Sequence, residues 1–345
     1  MNAVDPSQRV DRFRDLALSG NVEAAVRFAL DLLDAGTPET TIITDVIAVT
    51  QRMIGESWLK NELSVADEHL ATGVAESTLY ALSSATPAAS GASSVVVACA
   101  EGDWHSIGAH MIAEMFRVEG IDVSYLGAST PADALAQFLR RHRPDALVLS
   151  CSLPLFFGGV TRLADAAHAS GTPVLAGGRA LHGAPERARL LGADGYAENV
   201  AEGVRILATW HEFPPAIRVE PTGLLPGAAL LESFAEELAD CAYAKLRARL
   251  AAMASYSHRQ LERTREDLAY IVRFLAAARL VDEQTVFIEF LDWLGELLQA
   301  RGVPRSALVA GLEVLQFAMQ EHDLAEDPIF TAGLEHLAKA ALAHE

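Results

Sequence analysis

Five short strand-like runs, the first of them β-branched and each separated from the next by a stretch of helical period, constrain this chain more than any other feature. They are "SVVVACA", "IDVSYLG", "PDALVLSCS", "TPVLAGG" and "GADGYAE", spread over residues 93–212. Strands that are apolar almost throughout need cover on both faces. Strands alternating with helices therefore predict a doubly wound, Rossmann-like parallel sheet with helices on either side. Ligands of such sheets bind over the carboxyl ends of the strands, so the residues just after each run are where chemistry is expected. The flanking sequence has a different period. Residues 7–87 carry apolar residues at helical spacing, with a break at Ser19-Gly20 and a start near Pro38, which predicts a four-helix bundle. "TPAASGASS" (86–94) and "FPPAIRVEPTGLLPG" (213–227) read as linkers, and residues 228–345 read as an all-helical domain of globin size.

Composition narrows the partners. A formal net charge of −19 leaves no clustered Lys and Arg for phosphate contact, so no nucleic-acid partner is expected. Cys99, Cys151 and Cys241 are odd in number and far apart, which suits a reducing cytoplasm better than a disulfide framework. The first residues do not read as a signal peptide, and no run of eighteen apolar residues predicts a membrane span. No catalytic triad, phosphate loop or metal cluster is visible, so the chain reads as a non-enzyme.

The first strand runs directly into "EGDWHSIG", residues 101–108. A carboxylate two residues before an imidazole, at the end of a buried strand, suits an imidazole whose far nitrogen must be fixed. Asp103-x-His105-x-x-Gly108 resembles the cobalamin-binding fingerprint of the methionine-synthase and methylmalonyl-mutase type. The resemblance implies that His105 ligates cobalt from below, with the benzimidazole tail displaced and buried in the domain. It implies that Asp103 bonds the other ring nitrogen, that Ser106 belongs to the same loop, and that Gly108 lets the helix approach the tail. The family expects Ser-x-Leu about forty residues on, then Gly-Gly. Here 41 residues separate Gly108 from Ser150, and Gly177-Gly178 follow in "VLAGG". Ser152 stands two places after Ser150 with Leu153 one place late, so the local register is open. Ser150 and Ser152 are candidate contacts to the buried base, and the Gly pair is expected to leave room for the tail.

In "WLKNELSVADEH", Trp58 is followed after nine residues by Glu68-His69. This resembles the motif of the adenosylcobalamin photoreceptors of the CarH type. The resemblance implies that Trp58 packs over the adenosyl group, flanked by Glu68 and His69 and supported by Val65. Those relatives carry a basic DNA-binding domain, which this acidic chain is not expected to supply. Some have a His directly after the Trp, where this chain has Leu59.

The third domain offers softer signals. The stripe Leu261, Leu268, Val272 and Leu275 continues backward to His258, which places an imidazole on the apolar face of a helix. Arg259, Arg263 and Arg273 on the same helix suit propionate carboxylates. Phe287, Phe290 and Trp293 offer flat walls for a planar ligand. Bundle, cobalamin domain and globin-like helical domain, in that order, resemble the photocobilins, which bind adenosylcobalamin and biliverdin. Cys241 is expected to be packing rather than an attachment point. The function implied is a light sensor whose conformation, oligomeric state or partner responds to illumination. The alternative is a corrinoid methyl carrier with a C-terminal interaction domain, which shares the lower fingerprint but needs an open upper face.

Overall fold

The structure, a computed structural model, describes residues 6–86, 91, 93–218, 220–223, 225–322, 324 and 327–342. Parts of both expected linkers and the last three residues of the third domain lie outside the described residues. Two compact units are present, Met1–Thr222 and Gly223–Glu345. Among the described residues no helix is long and apolar enough to cross a membrane.

The first unit opens with four helices. α1 (Pro6–Leu18) buries Val10, Phe13, Leu16 and Ala17, a single helical stripe. Gly20, at φ +69, turns the chain, and Asn21 caps α2 (Val22–Asp34) by accepting from the Ala24 amide. Pro38 stands before α3 (Glu39–Thr41), which runs on through a π-wound segment, Ile42–Ile47, into α4 (Ala48–Leu59). That widened turn buries Ile42, Ile43, Val46 and Ile47 together, four residues that an ordinary α turn would spread over more of its circumference. Ser64 and Asp67 form a reciprocal capping box at the start of α5 (Val65–Ala85). That box sets which residues fall in the first turn, among them Glu68.

The sheet follows. β1 (Ser94–Cys99), β2 (Asp122–Gly127), β3 (Ala146–Ser150), β4 (Val174–Gly177) and β5 (Gly195–Tyr196) pair in the order β2-β1-β3-β4-β5, all parallel. The crossovers are α6 (Ser106–Val118), α7 (Ala132–His142), α8 (Phe157–His168) and α9 (Pro185–Leu190), and α10 (Val200–Glu212) closes the unit. The order reverses at β1, so the loops after β1 and β3 border the topological switch point. α6 is two-sided. Ala109, Ala113 and Phe116 enter the core of the sheet, whereas Met111, with Ile107 and Met115 beside it, enters that of the bundle. One helix thus joins the two predicted domains into one compact unit.

The second unit is helical: α11 (Pro226–Arg249), α12 (His258–Val281), α13 (Gln284–Ala300), α14 (Arg305–Gln320) and α15 (Pro328–Leu342). Leu268, Val272 and Leu275 are buried as the stripe on α12 predicts, but His258 is not. Its side chain is 87% exposed and lies 3.3 Å from Glu262. Leu261 is itself only half-buried, so the cover over this stripe begins at Leu268 and the first turns carry solvated charges. Arg259 is exposed, Arg263 pairs with Glu266, and Arg273 bonds Glu236 at 2.7 Å. The three aromatic residues of α13 do not form a slot. Phe290 stacks on Phe274 at 3.7 Å, Phe287 is fully buried near Phe330, and Trp293 is partly exposed. Stacking on one another satisfies faces that a planar ligand would otherwise cover.

Candidate functional site

The loop between β1 and α6 is built around Asp103, which is 1% exposed. The strand continues one residue past its end, where the Ala100 amide donates to Ser150 O at 2.9 Å. Gly102 takes φ +89 to turn the chain, and its amide donates to Ser129 Oγ. Asp103 Oδ1 accepts from the His105 amide and from His105 Nδ1, both at 2.9 Å. Its Oδ2 accepts from the Ser152 amide at 2.9 Å. The carboxylate thus ties its own loop to the loop after β3. Burial alone would raise Asp103, but the bonds from His105 and Ser152 hold it below its ordinary value of 3.8. His105 moves the other way: its bond to Asp103 raises it, burial opposes, and the Asp103 and Glu68 charges add to the rise.

His105 is pinned through Nδ1 while its side chain stays 60% exposed. With Nδ1–H directed at Asp103, Nε2 keeps its lone pair for a ligand. Ser152 Oγ lies 3.2 Å from the same ring nitrogen, so this hydroxyl sits against the imidazole. Ser150 ends β3, buried, and stands in register with Cys99 and Gly177 on the neighbouring strand ends. The two serines therefore occupy different places: Ser150 on the strand end, Ser152 on the histidine. Ser106 is taken up by the bundle, its hydroxyl donating to Glu76 Oε1 at 3.1 Å.

The glycines divide. A Cβ on Gly108 would meet nothing within 4 Å, so the start of α6 opens on free space beside the loop. Gly177 and Gly178 answer to the protein's own backbone. A Cβ on Gly178, at φ +100, would lie 2.6 Å from Cys151 O, and one on Gly177 would lie 2.9 Å from Ala197 O. Close backbone approach, rather than room for a ligand, explains the pair.

The opposite wall comes from α4 and α5. Glu68, Thr72 and Glu76 form an i, i+4, i+8 stripe on α5. Glu76 bonds Ser106 at one end of this stripe, and the Glu68 charge acts on His105 at the other. The stripe therefore runs along the Asp103–His105 loop. Glu68 Oε2 lies 2.6 Å from His69 Nδ1, and Val65 and His69 are exposed on the same first turns. Trp58 is half-buried in the last turn of α4, on a line with Gln51 and Gly55. A Cβ on Gly55 would also meet nothing within 4 Å. Gln51, Thr72 and Glu76 escaped the motif reading. Their signal was helical spacing, seven residues before Trp58 for Gln51 and four and eight after Glu68 for the others. Trp104, 75% exposed between the two ligand-loop residues, was passed over as well.

A corrinoid fits these residues. They offer a pinned imidazole with a free nitrogen, open space at Gly108, and a stripe of polar groups on α5 running along the loop. Residues 93–205 match the family described as B12 binding domain, and residues 9–83 match a second family of that description. The HTH-type transcriptional repressors CarH and CarA of Myxococcus xanthus are 32% and 33% identical over 155 and 154 residues, 44% of this chain. The chain spans about half the length of these curated relatives, 51% of each. Monomethylamine corrinoid protein 1 of Methanosarcina acetivorans is 22% identical over 40% of this chain and 66% of its own. The solved monomethylamine corrinoid protein of Methanosarcina barkeri shares the fold, with a TM-score of 0.50 over 59% of this chain and 98% of its own. Within the first compact unit, the helical stretch over residues 9–83 and the sheet-containing stretch over residues 93–205 thus each match a B12 binding domain.

Proposed function

We propose that this protein is a light sensor that binds adenosylcobalamin between the bundle and the sheet. The observation that carries the reading is the pinned His105 imidazole lying along a wall that presents Glu68, with His69 bonded to that carboxylate. His105 Nε2 would hold the cobalt, and Gly108 and Ser150 would border the bound cofactor. Asp103 and Ser152 keep the ring in one tautomer. Trp58, Glu68, His69 and Val65 would enclose the upper ligand and exclude a methyl donor. Adenosylcobalamin would supply a weak cobalt–carbon bond that breaks when its corrin ring absorbs visible light. Loss of a bulky ligand from a wall made by α4 and α5 would shift the packing of the bundle, and oligomeric state or a partner would read that shift. The similarity to two transcriptional repressors favours sensing over catalysis.

The second unit is proposed to take up biliverdin, as a globin-like domain that follows a cobalamin module in the chain. Its five helices and the exposed His258, Arg259 and Arg263 on the first turns of α12 support this part. A methyl carrier is the competing reading, favoured by the similarity to monomethylamine corrinoid proteins. Trp58 separates the two. The chain, reconstituted in the dark, is expected to prefer adenosylcobalamin to methylcobalamin and to change its spectrum on illumination. Trp58→Ala should weaken that preference about tenfold, a loss of roughly 1.4 kcal/mol. Equal affinity of the unaltered chain for both forms would overturn the sensor reading and leave the carrier.

A further inference from the structure

Proton counting fixes the direction of a hydrogen-bond chain on the upper wall. Thr72 Oγ1 lies 2.9 Å from the Gln51 amide and 3.0 Å from Glu68 Oε1. A threonine hydroxyl has one proton, and a carboxylate only accepts. Were Thr72 to donate to the Gln51 oxygen, it would face Glu68 with a lone pair against a lone pair. The Gln51 nitrogen would then be buried with no partner, leaving two N–H donors unmade. Side-chain amide oxygen and nitrogen are told apart only by their partners. Turning the amide over gives both contacts a proton: Gln51 N–H donates to Thr72, the single Thr72 proton goes to Glu68 Oε1, and the buried unpaired atom becomes one acceptor in place of two donors.

We infer that Gln51 and Thr72 are positioning residues for Glu68, forming a one-way relay that holds its carboxylate toward the upper ligand and selects ligands bearing hydroxyl or amino donors. The inference rests on the proposed role of Glu68 in enclosing the upper ligand. His69 Nδ1 lies 2.6 Å from Oε2 and Thr72 lies 3.0 Å from Oε1, so the carboxylate is held at both oxygens. Each oxygen keeps a lone pair, and an acceptor-only group rewards a donor. A bare methyl has none. A site built to pair with a donor discriminates against an analogue that lacks it, because an acceptor covered by that analogue is left unpaired.

The test measures dark affinities of the full chain for adenosylcobalamin and methylcobalamin by absorbance titration, with far-UV circular dichroism as the control for folding. Thr72→Val is expected to lower the preference for adenosylcobalamin about tenfold while methylcobalamin affinity stays within about twofold. Thr72→Ser keeps the donor and should restore the preference. Gln51→Glu has no N–H to donate and should behave like Thr72→Val; retention of the preference there would reverse the relay and overturn the inference. Full preference in Thr72→Val overturns it too. So does equal loss of both forms or loss of the fold, which would mark a structural role. An unaltered chain with no preference brings down the sensor reading itself, whereas a selective unaltered chain with an equally selective Thr72→Val brings down the relay alone.

Discussion

Asp103 holds three donors at once, which sets what its replacement does. Removing the carboxylate would leave the His105 and Ser152 amides unpaired in a buried place, about 1–3 kcal/mol for each. Asp103→Ala is therefore expected to lower the melting temperature as well as cobalamin affinity. Asp103→Asn keeps one acceptor but sets its NH2 against the Ser152 amide when its oxygen stays on His105, so affinity should fall about 10- to 100-fold, as for other partners of metal-bound histidines, with a smaller loss of stability than in Asp103→Ala. His105→Ala should bind weakly, with the spectrum of a corrinoid that lacks a protein nitrogen. An unchanged spectrum and affinity in that variant would remove His105 from the lower position. The Asp103–His105 pair was legible because both partners sit two residues apart in one loop. Ser152 was legible as a candidate contact to the buried base, but its place on the imidazole was not, because it reaches the ring from a loop 47 residues away. The Gly177-Gly178 pair was legible as a position but not as a cause, since its crowding comes from Cys151 and Ala197, which only the fold brings near.

At the scale of elements, α6 carries the join between bundle and sheet. Arg117 bonds Glu114 at 2.7 Å, Glu39 of the bundle at 2.8 Å and the Thr86 carbonyl at 2.8 Å, all three side chains being largely buried. A buried pair adds little over an apolar contact, but breaking one strands a charge, at a cost of about 3–5 kcal/mol. Arg117→Met should therefore lower the thermal midpoint of the first unit, read by circular dichroism, far more than a surface substitution. The network also has a pH signature. Burial alone would raise Glu114, yet bonds from His110, Arg117 and Ser83 hold it below its ordinary value of 4.5. A depressed carboxyl contributes stability that is present above the unfolded value and lost as pH falls through the folded one. Stability should decline below about pH 4.5, and Glu114→Gln should flatten part of that decline; an identical pH profile in the variant would contradict it. The strands and most helices were legible because each buries its apolar residues at its own period. The second face of α6 was not, because period alone does not say what lies on the far side of a helix. His258 misled for the same reason: spacing places a residue on a stripe, but only the neighbouring helices decide how far along the stripe the cover extends.

At the scale of the whole chain, the candidate cobalamin residues all lie between Gln51 and Gly178, within the first compact unit. The proposed bilin residues lie on α12 in the second. Each unit buries a core of its own: Phe13, Ile42, Leu79, Val97 and Leu147 in one, and Leu238, Leu275, Phe287 and Leu315 in the other. A chain ending at Thr222 should therefore bind cobalamin with affinity within about twofold of the full chain, since independent sites add. It should take up no biliverdin. Burying a flat tetrapyrrole removes several hundred Å² of apolar surface, on the order of 10 kcal/mol at about 25 cal/mol per Å² before ordering costs, so tight uptake needs no covalent bond. Cys241→Ser should accordingly leave the bilin spectrum unchanged. Arg259 and Arg263 are exposed, so substituting either by Ala should cost about 1–3 kcal/mol of bilin affinity where a charge-assisted bond is lost. The discriminating measurement is a far-red absorption band after incubation with biliverdin in the dark. A band in the shortened chain would move the chromophore into the cobalamin unit. No band in the full chain would end the bilin reading and leave the five C-terminal helices as an interaction domain, with the sensor reading of the first unit still standing on Trp58 and His105.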